Sequence, residues 1–313
     1  MKTRKLGSNG PEFTVIGLGS WAIGGSWKYG WGPSDDAESI RTIHRALDLG
    51  INWIDTAAVY GLGHSEEIVG KALEGVRKDV YIATKCGLVW DDQGRVRNDI
   101  SPASIRREAE ASLKRLKTDY IDLYQIHWPH ANQSEAEAWH EMTKLQKEGK
   151  VRWIGVSNFD VPLLRKCEAI HHVDSLQPPY NLIRREVEKE ILPYCLKTGI
   201  GVVAYSPMMS GLLSGRFDRT QLAPDDWRQK EPLFREPLLS RYLQKVEKMR
   251  QKAADYNATV GNLAVAWVLR HPAVTSAIVG ARKVAQVEEN VRAAEIQLTD
   301  EDAAWLEALF AEP

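Results

Sequence analysis

The sequence predicts an α/β fold, a (β/α)8 TIM barrel with an N-terminal capping hairpin and extra C-terminal helices. Short apolar segments rich in β-branched residues alternate eight times with amphipathic helical patterns over 313 residues, a usual length for this fold. The apolar segments are continuous, as expected for parallel strands that are buried on both faces. No Pro/Ser-rich linker interrupts the pattern, so we expect one barrel domain over residues 1–313.

The elements follow one another in a regular order. The opening segment MKTRKLGSNGPEFTV predicts a hairpin that closes the bottom of the barrel. Eight predicted strands follow, each running from apolar into small or polar residues: VIGLGS (15–20), INWIDTA (51–57), DVYIATK (79–85), IDLYQIH (121–127), RWIGVSN (152–158), DSLQPPYN (174–181), GVVAYSP (201–207) and SAIVG (276–280). Because active sites of such barrels lie where the strands end, polar residues at these ends are the candidates for chemistry.

Capping residues mark the boundaries of the predicted helices. Starts are indicated by side chains that accept from free backbone amides, and by one proline at a first helical position: Ser34 and Asp35, Ser65, and Ser101 with Pro102. Stops are indicated by glycines, which tolerate the left-handed conformation that ends a helix: Gly50, Gly75, Gly149 and Gly199.

The composition favours a protein that acts on small molecules. With 41 basic and 42 acidic residues and no long run of one sign, the chain presents no charge pattern for nucleic acid. The basic N-terminus lacks the apolar stretch of a signal peptide, and no window resembles a membrane span. We therefore expect a cytoplasmic protein without nucleic-acid or membrane partners. The sequence does not indicate whether the protein is a monomer or an oligomer.

The cysteines give no sign of a disulfide or metal site. Cys86, Cys167 and Cys195 are far apart and form no CxxC pair, so neither a disulfide framework nor a zinc site is expected. Cys86 directly follows Lys85, whose charge could favour a thiolate. The alternative is a small packing residue.

Four polar residues lie at the ends of three consecutive predicted strands. They are Asp55 and Tyr60 after the second strand, Lys85 at the end of the third and His127 at the end of the fourth. We expect Lys85 to lower the pKa of Tyr60, so that the phenol can act as an acid near neutral pH. His127 could then polarise a carbonyl group.

Each of these residues also has a purely structural interpretation. Asp55 and Lys85 could form an ordinary buried ion pair, His127 could be a hydrogen-bonded core histidine, and Tyr60 could be a packed aromatic residue. The occurrence of all four at adjacent strand ends favours a catalytic role.

Several motifs together resemble the aldo-keto reductase superfamily. They are DTAxxYG (55–61), the strand-ending Lys85, IHWP (126–129), IGVSNF (154–159), LQPPYN (176–181), AYSP (204–207) and GARKxxQxxEN (280–290). The resemblance covers the whole chain. The last motif and HWP are most similar to the bacterial branch called family eleven, which includes stress-related reductases and polyol or glycerol dehydrogenases.

The resemblance implies an NADP(H)-dependent oxidoreductase that interconverts small aldehydes or ketones with alcohols or polyols such as glycerol. Tyr60 would be the general acid and base, tuned by Lys85 and Asp55, and His127 would orient the carbonyl. The expected substrate pocket consists of Trp21, Tyr60, His127 and Trp128. Either tryptophan could instead pack at the barrel mouth.

Cofactor contacts are expected at the remaining strand ends. Ser157, Asn158 and Gln177 carry groups that could bind a carboxamide, and Tyr205 could stack on the nicotinamide or be a core tyrosine. A segment of about thirty residues follows AYSP and is expected to be a lid or a disordered loop. Further cofactor contacts are expected from the end of the first strand and its loop, from the end of AYSP and from this segment: Gly19, Ser20, Trp21, Ser206, Pro207, Met208, Ser210, Gly211, Leu212, Gly215 and Arg216.

The segment after the eighth strand is expected to bind the adenosine phosphate. Arg282 could pair with a 2′-phosphate, which argues for NADPH over NADH, or could be an incidental arginine at a helix start. Neighbouring contacts are expected from Gly280, Ala281, Gln286, Glu289 and Asn290. The chain departs from the family pattern here, because Gly280 replaces a lysine and Gln286 replaces an arginine.

Three other interpretations deserve comparison. GLGSWA (17–22) matches a dinucleotide-binding fingerprint, but a glycine-rich and aromatic stretch follows it instead of a helix. A metal-dependent hydrolase would need a cluster of histidines and carboxylates that His127 lacks. The strongest alternative is an NADP-binding regulatory subunit that resembles potassium-channel β subunits.

Overall fold

A computed structural model describes residues 1–27, 29–224 and 226–311, and over these residues eight parallel strands close into a barrel. The predicted fold is confirmed. The described strands are β1 (Thr3–Lys5), β2 (Glu12–Thr14), β3 (Ile16–Gly19), β4 (Trp53–Asp55), β5 (Tyr81–Cys86), β6 (Leu88–Trp90), β7 (Val96–Asn98), β8 (Ile121–Ile126), β9 (Val151–Ser157), β10 (Ser175–Gln177), β11 (Gly201–Ala204) and β12 (Val274–Gly280). The barrel order is β3-β4-β5-β8-β9-β10-β11-β12, and β12 pairs with β3 to close the ring.

The helices surround the barrel. In the described ranges they are α1 (Asp36–Asp48), α2 (His64–Ala72), α3 (Pro102–Leu116), α4 (Glu135–Lys147), α5 (Val161–Glu168), α6 (Ile191–Thr198), α7 (Leu238–Asp255), α8 (Val260–Arg270), α9 (Val284–Asn290) and α10 (Asp300–Phe310). Both α7 and α8 lie between β11 and β12, and α10 follows α9, so the expected extra helices near the C-terminus are present. None of the described helices is long and apolar enough to cross a membrane.

Most predicted helix boundaries are confirmed, with one exception. Asp35 and Ser101 cap α1 and α3 through their side chains. Ser65 does not cap α2, because this helix already begins at His64. The Ser65 hydroxyl is buried and lies 2.8 Å from the Ser20 Oγ of the first loop. The glycines predicted to stop helices all have positive φ angles: Gly50, Gly75, Gly149 and Gly199.

The hairpin β1–β2 closes the bottom of the barrel. The Phe13 ring stacks on Trp53 with 4.6 Å between ring centroids. The Trp53 indole N–H is 3.1 Å from both the Thr14 carbonyl and the Ser276 Oγ. Burial of an apolar side chain of this size stabilises the fold by roughly 1.5–3 kcal/mol, so the hairpin is part of the core.

Two loops at the opposite end depart from a simple barrel. The segment after β11 forms short 3₁₀ turns at 209–214, 219–221, 227–229 and 232–234, with Asp225 outside the described residues. Phe234 packs on Phe217 with centroids 5.2 Å apart, so the segment has its own apolar contacts. The antiparallel hairpin β6–β7 was not predicted, and Asp91 supports its turn by accepting from the amides of Gln93 and Arg95.

The close approach of β3 to Trp53 leads to a prediction about stability. A Cβ atom on Gly17 would lie 2.1 Å from the Trp53 ring. We expect Gly17→Ala to lower the free energy of unfolding by about 1–3 kcal/mol, measured by urea denaturation and circular dichroism. The matched control is Gly280→Ala, where a Cβ atom meets nothing nearer than 3.8 Å. Equal stability of the two variants would contradict the packing described here.

Candidate active site

The ion pair between Asp55 and Lys85 lies at the upper end of the barrel. The Lys85 ammonium is 2.9 and 2.8 Å from the two Asp55 carboxylate oxygens and 2.8 Å from the Thr56 carbonyl. The same ammonium donates to the Tyr60 hydroxyl at 3.1 Å. All three ionisable side chains are buried. Three of the four predicted catalytic residues are therefore in direct contact.

The charges of this pair depend on each other. Burial raises the pKa of Asp55, and the neighbouring Lys85 ammonium opposes that rise. Burial also lowers the pKa of Lys85, and the Asp55 carboxylate opposes that change. Removal of either partner would leave one charge buried without compensation.

The predicted fall of the Tyr60 pKa is wrong for this site. The pKa of Tyr60 is raised well above its ordinary value, first by burial and then by the Asp55 charge. The Lys85 ammonium, 3.1 Å from the phenol oxygen, does not outweigh these two effects. Tyr60 is consequently a protonated phenol at neutral pH, with its oxygen fixed by the Lys85 ammonium.

His127 follows β8 and completes the group. Burial and the Lys85 charge hold the pKa of His127 well below its ordinary value, so the imidazole is neutral at pH 7. Its ring centroid is 5.9 Å from the Tyr60 ring at an interplanar angle of 77°. Neither ring nitrogen has a hydrogen-bond partner among the residues the structure describes. A neutral ring N–H is thus free to donate to a bound oxygen atom.

Amide and hydroxyl groups continue the site across β9, β10 and β11. Tyr205 donates to the Asn158 Oδ1 at 2.9 Å, and the Asn158 Nδ2 donates to the His127 carbonyl at 3.0 Å. The Ser157 hydroxyl donates to the Gln177 carbonyl at 2.8 Å. The Gln177 Nε2 donates to Asp55 at 2.8 Å, while its Oε1 accepts from no described residue. A free amide oxygen here fits a carboxamide donor.

Glycines lie at the rim of the barrel beside these groups, and the rim is open at Gly280. Gly19 and Gly280 end neighbouring strands and lie opposite each other in register. A Cβ atom on Gly280 would find only the Gly19 carbonyl within 4 Å, at 3.8 Å. Gly211 and Gly215 in the loop after β11 have φ angles of 94° and 76°, which other residues rarely adopt. The backbone here can therefore approach a ligand closely.

The remaining residues predicted on the loops after β3 and β11 lie in varied surroundings. The Trp21 indole N–H donates to the Tyr29 carbonyl at 2.9 Å. Ser206 and Ser210 have positive φ angles, and the Ser210 carbonyl accepts from Arg228 at 2.9 Å. The others are apolar and differ in exposure: Leu212 is buried in the core, Met208 is partly buried against it and Pro207 is buried.

The predicted adenosine segment makes contacts within the protein. The Arg282 guanidinium donates to the carbonyls of Trp31, at 3.0 Å, and Pro33. The Gln286 Oε1 accepts from the Arg282 amide at 2.8 Å. Arg216 forms an ion pair with Glu289 at 2.5 Å, and the Asn290 side chain donates to the Gly280 carbonyl at 3.2 Å. Ala281 is buried.

The apolar wall beside Tyr60 includes residues that the sequence did not single out. Trp21 and Trp27 lie 5.3 and 6.3 Å from the Tyr60 ring, measured between centroids. Trp90 of the unpredicted β6–β7 hairpin belongs to the same cluster. Trp128 is 44% exposed and, within the described part of the chain, has no ring contact with Tyr60. The glycine-rich and aromatic stretch after β3 was the sequence signal that could have identified Trp27 as a residue of this wall.

The thiols and possible metal ligands give no competing site. Burial raises the pKa of the Cys86 thiol well above its ordinary value, and the Sγ lies 3.5 Å from the Gln125 carbonyl. Cys86 is therefore a packing residue, and Cys167 and Cys195 are also buried and free. Among the described residues, no cluster of three histidine, cysteine or carboxylate side chains is placed to hold a metal ion.

Comparison with known proteins decides the family. The model of the aldo/keto reductase family matches residues 15–311. The chain belongs to this family. It is 42% identical to aldo-keto reductase YhdN of Bacillus subtilis over 92% of this chain and 87% of that protein. It is 38% identical to the NADH-specific methylglyoxal reductase of Escherichia coli over 98% of this chain and 97% of that protein.

A solved structure agrees over nearly the whole chain. The glycerol dehydrogenase AKR11B4 from Gluconobacter oxydans has a TM-score of 0.89 and 42% identity, covering 99% of this chain and 94% of that one. The resemblance to family eleven is thereby confirmed. As an aldo-keto reductase, this protein is an oxidoreductase of a family that uses a nicotinamide cofactor.

The coupled charges of this aldo-keto reductase lead to a second prediction. Lys85→Met leaves the Asp55 carboxylate buried without its partner, so we expect a loss of about 3–5 kcal/mol in the free energy of unfolding. Adding Asp55→Asn should restore more than half of that loss, because the double variant buries no charge. Urea denaturation of both variants measures the effect. Additive losses would show that the two charges are not coupled.

Proposed function

We propose that the chain interconverts small aldehydes or ketones with alcohols or polyols, using NADP(H), with Tyr60 as the proton donor and acceptor. The observation that carries this proposal is the contact of 3.1 Å between the Lys85 ammonium and a buried, protonated Tyr60. His127 stands beside it as a neutral imidazole. Together they can bind one carbonyl oxygen and protonate it.

The strand ends fit a nicotinamide group. A reduced nicotinamide supplies a hydride when it is bound. The free Oε1 of Gln177 and the side chains of Ser157 and Asn158 would hold its carboxamide, and the ring of Tyr205 would lie against it. The open rim at Gly280 leaves room for the rest of the cofactor.

The proton steps follow from the state of Tyr60. In carbonyl reduction, Tyr60 donates its phenolic proton to the substrate oxygen while His127 donates a hydrogen bond to the same oxygen. In alcohol oxidation, Tyr60 must first release that proton to water, and its phenolate then accepts the hydroxyl proton of the alcohol. The Lys85 ammonium, 3.1 Å from the phenol oxygen, stabilises the phenolate that results. The same residues therefore serve both directions.

Small polar carbonyl compounds are the proposed substrates. Trp21, Trp27 and Trp90 bring bulky rings to the space above Tyr60, which favours short substrates over large ones. Two relatives are described as a methylglyoxal reductase and a glycerol dehydrogenase, both of which act on three-carbon compounds. We propose glyceraldehyde and glycerol as representative substrates of this chain.

NADP(H) is proposed because Arg282 and Lys283 place two positive charges in the lining of a cavity beside the predicted adenosine segment. The groove proposed for the cofactor runs from the strand ends around Gln177 to this cavity. One relative is described as NADH-specific, so the choice between the two cofactors needs direct measurement. Binding of both cofactors can be followed through the fluorescence of the tryptophans.

The function is tested by Tyr60→Phe. We expect the variant to lose about 10²- to 10⁴-fold in NADPH-dependent reduction of glyceraldehyde, followed by absorbance of the reduced nicotinamide. Binding of NADPH should stay within about twofold of the unaltered protein, because the ring remains and Lys85 keeps its contacts with Asp55 and Thr56.

The wild-type protein provides the comparison for this experiment. Turnover of glyceraldehyde, and of glycerol with NADP+, would support the proposal. Tight NADPH binding without turnover of any short aldehyde or polyol would instead favour the NADP-binding regulatory subunit. Near-normal turnover by Tyr60→Phe would remove Tyr60 from the proposed role.

The protonation states also predict the pH dependence of reduction. The lowered pKa of His127 keeps it neutral above the acid range, and the raised pKa of Tyr60 keeps it protonated through the mildly alkaline range. We therefore expect kcat/KM for aldehyde reduction to change little between about pH 6 and 9. An inflection near pH 6.5 would show that His127 ionises in the working range.

A further inference from the structure

A cavity with charges of both signs lies at the expected adenosine end of the groove. It has a volume of about 450 Å³ and lies between the start of α1 and the segment after β12. Its lining includes Asp35, Glu38, Arg282, Lys283 and Gln286. The proposed function places the 2′ position of the cofactor ribose here, and the inference below rests on that function.

The Arg282 side chain, a positive group of this cavity, already forms hydrogen bonds within the protein. Two nitrogen atoms of the Arg282 guanidinium donate to the carbonyls of Trp31 and Pro33 in the loop before α1. The guanidinium keeps its positive charge, but some of the N–H donors that would form bidentate hydrogen bonds with a phosphate are already used. Arg282 can therefore attract a 2′-phosphate without enclosing it.

A carboxylate faces the same space from α1. The Glu38 Oε1 accepts from the Val284 amide at 3.4 Å, so this side chain reaches across to the segment that follows Arg282. Its Oε2 pairs with the exposed Arg41 at 2.7 Å. These contacts lower the pKa of Glu38, which keeps it ionised at neutral pH. Asp35 also lines the cavity, but its Oδ1 caps α1 by accepting from the Glu38 amide.

An ionised carboxylate distinguishes the two nicotinamide cofactors. It repels a 2′-phosphate, which carries up to two negative charges, whereas it can accept a hydrogen bond from a 2′-hydroxyl. Arg282 and Lys283 act in the opposite direction because they attract the phosphate. The balance of these charges sets the difference in affinity.

We propose that Glu38 is a specificity-determining residue that weakens NADPH binding selectively, so that this chain uses both NADPH and NADH. The carboxylate offsets the attraction of Arg282 at the 2′ position and leaves the nicotinamide end of the groove unchanged.

The test compares dissociation constants for NADPH and NADH in Glu38→Gln, measured by tryptophan fluorescence. We expect the Kd for NADPH to fall about 3- to 10-fold and the Kd for NADH to change less than about twofold. Arg282→Ala should shift the ratio in the opposite direction. Glu67→Gln, an exposed carboxylate on α2, is the matched control for net charge.

Salt dependence separates repulsion from a change in packing. If Glu38 acts through its charge, the difference between Glu38→Gln and the unaltered protein should shrink as ionic strength rises from about 0.05 to 0.5 M. Arg41→Gln, which removes the partner of Glu38, should weaken NADPH binding further. Thermal unfolding of each variant checks that α1 remains folded.

The outcomes distinguish this inference from the proposed function. An unchanged ratio of the two Kd values in Glu38→Gln, with turnover intact, would overturn the role of Glu38 alone. A parallel change for both cofactors would do the same, since it would place Glu38 in general binding. Failure of the unaltered protein to bind either cofactor would overturn both proposals.

Discussion

The buried ion pair between Asp55 and Lys85 is the interaction on which the candidate site depends. An ammonium inside the barrel costs several kcal/mol unless a carboxylate and further acceptors compensate it, and Asp55 and the Thr56 carbonyl do so. This pairing holds the ammonium at one point beneath the Tyr60 hydroxyl. Burial first, and then the charge of the same carboxylate, raise the pKa of Tyr60, so the phenol is both held in place and kept protonated.

Strand register explains why these residues meet. Asp55 lies opposite Ala83, and Lys85 is two residues further along β5 on the same face of the sheet. Lys85 in turn lies opposite Gln125, and His127 comes two residues later. Each strand thus carries its polar side chain two residues beyond the previous one, which matches the stagger of a tilted barrel.

Local patterns predicted the strands, the glycine stops and the site residues at the strand ends, because each depends on neighbours in sequence. Features that depend on distant contacts were missed. Ser65 was predicted as a cap, but its hydroxyl contacts Ser20 of another loop. The pKa of Tyr60 was predicted to fall, but it rises because the phenol is buried and lies near the Asp55 charge. Trp90 reaches the site through a hairpin whose short strands carry only a weak sequence signal.

The two ends of the proposed cofactor groove are built differently, and under the proposed function this difference separates chemistry from cofactor choice. At the proposed nicotinamide end, Lys85 and Gln177 project from strands of the closed barrel and are buried. At the proposed adenosine end, Arg282 and Glu38 lie on loop and helix surfaces that meet across a cavity. Substitutions on such surfaces change stability little compared with changes inside a packed barrel. If Glu38 and Arg282 set the cofactor preference as proposed, that preference can vary while the geometry around Tyr60 remains the same.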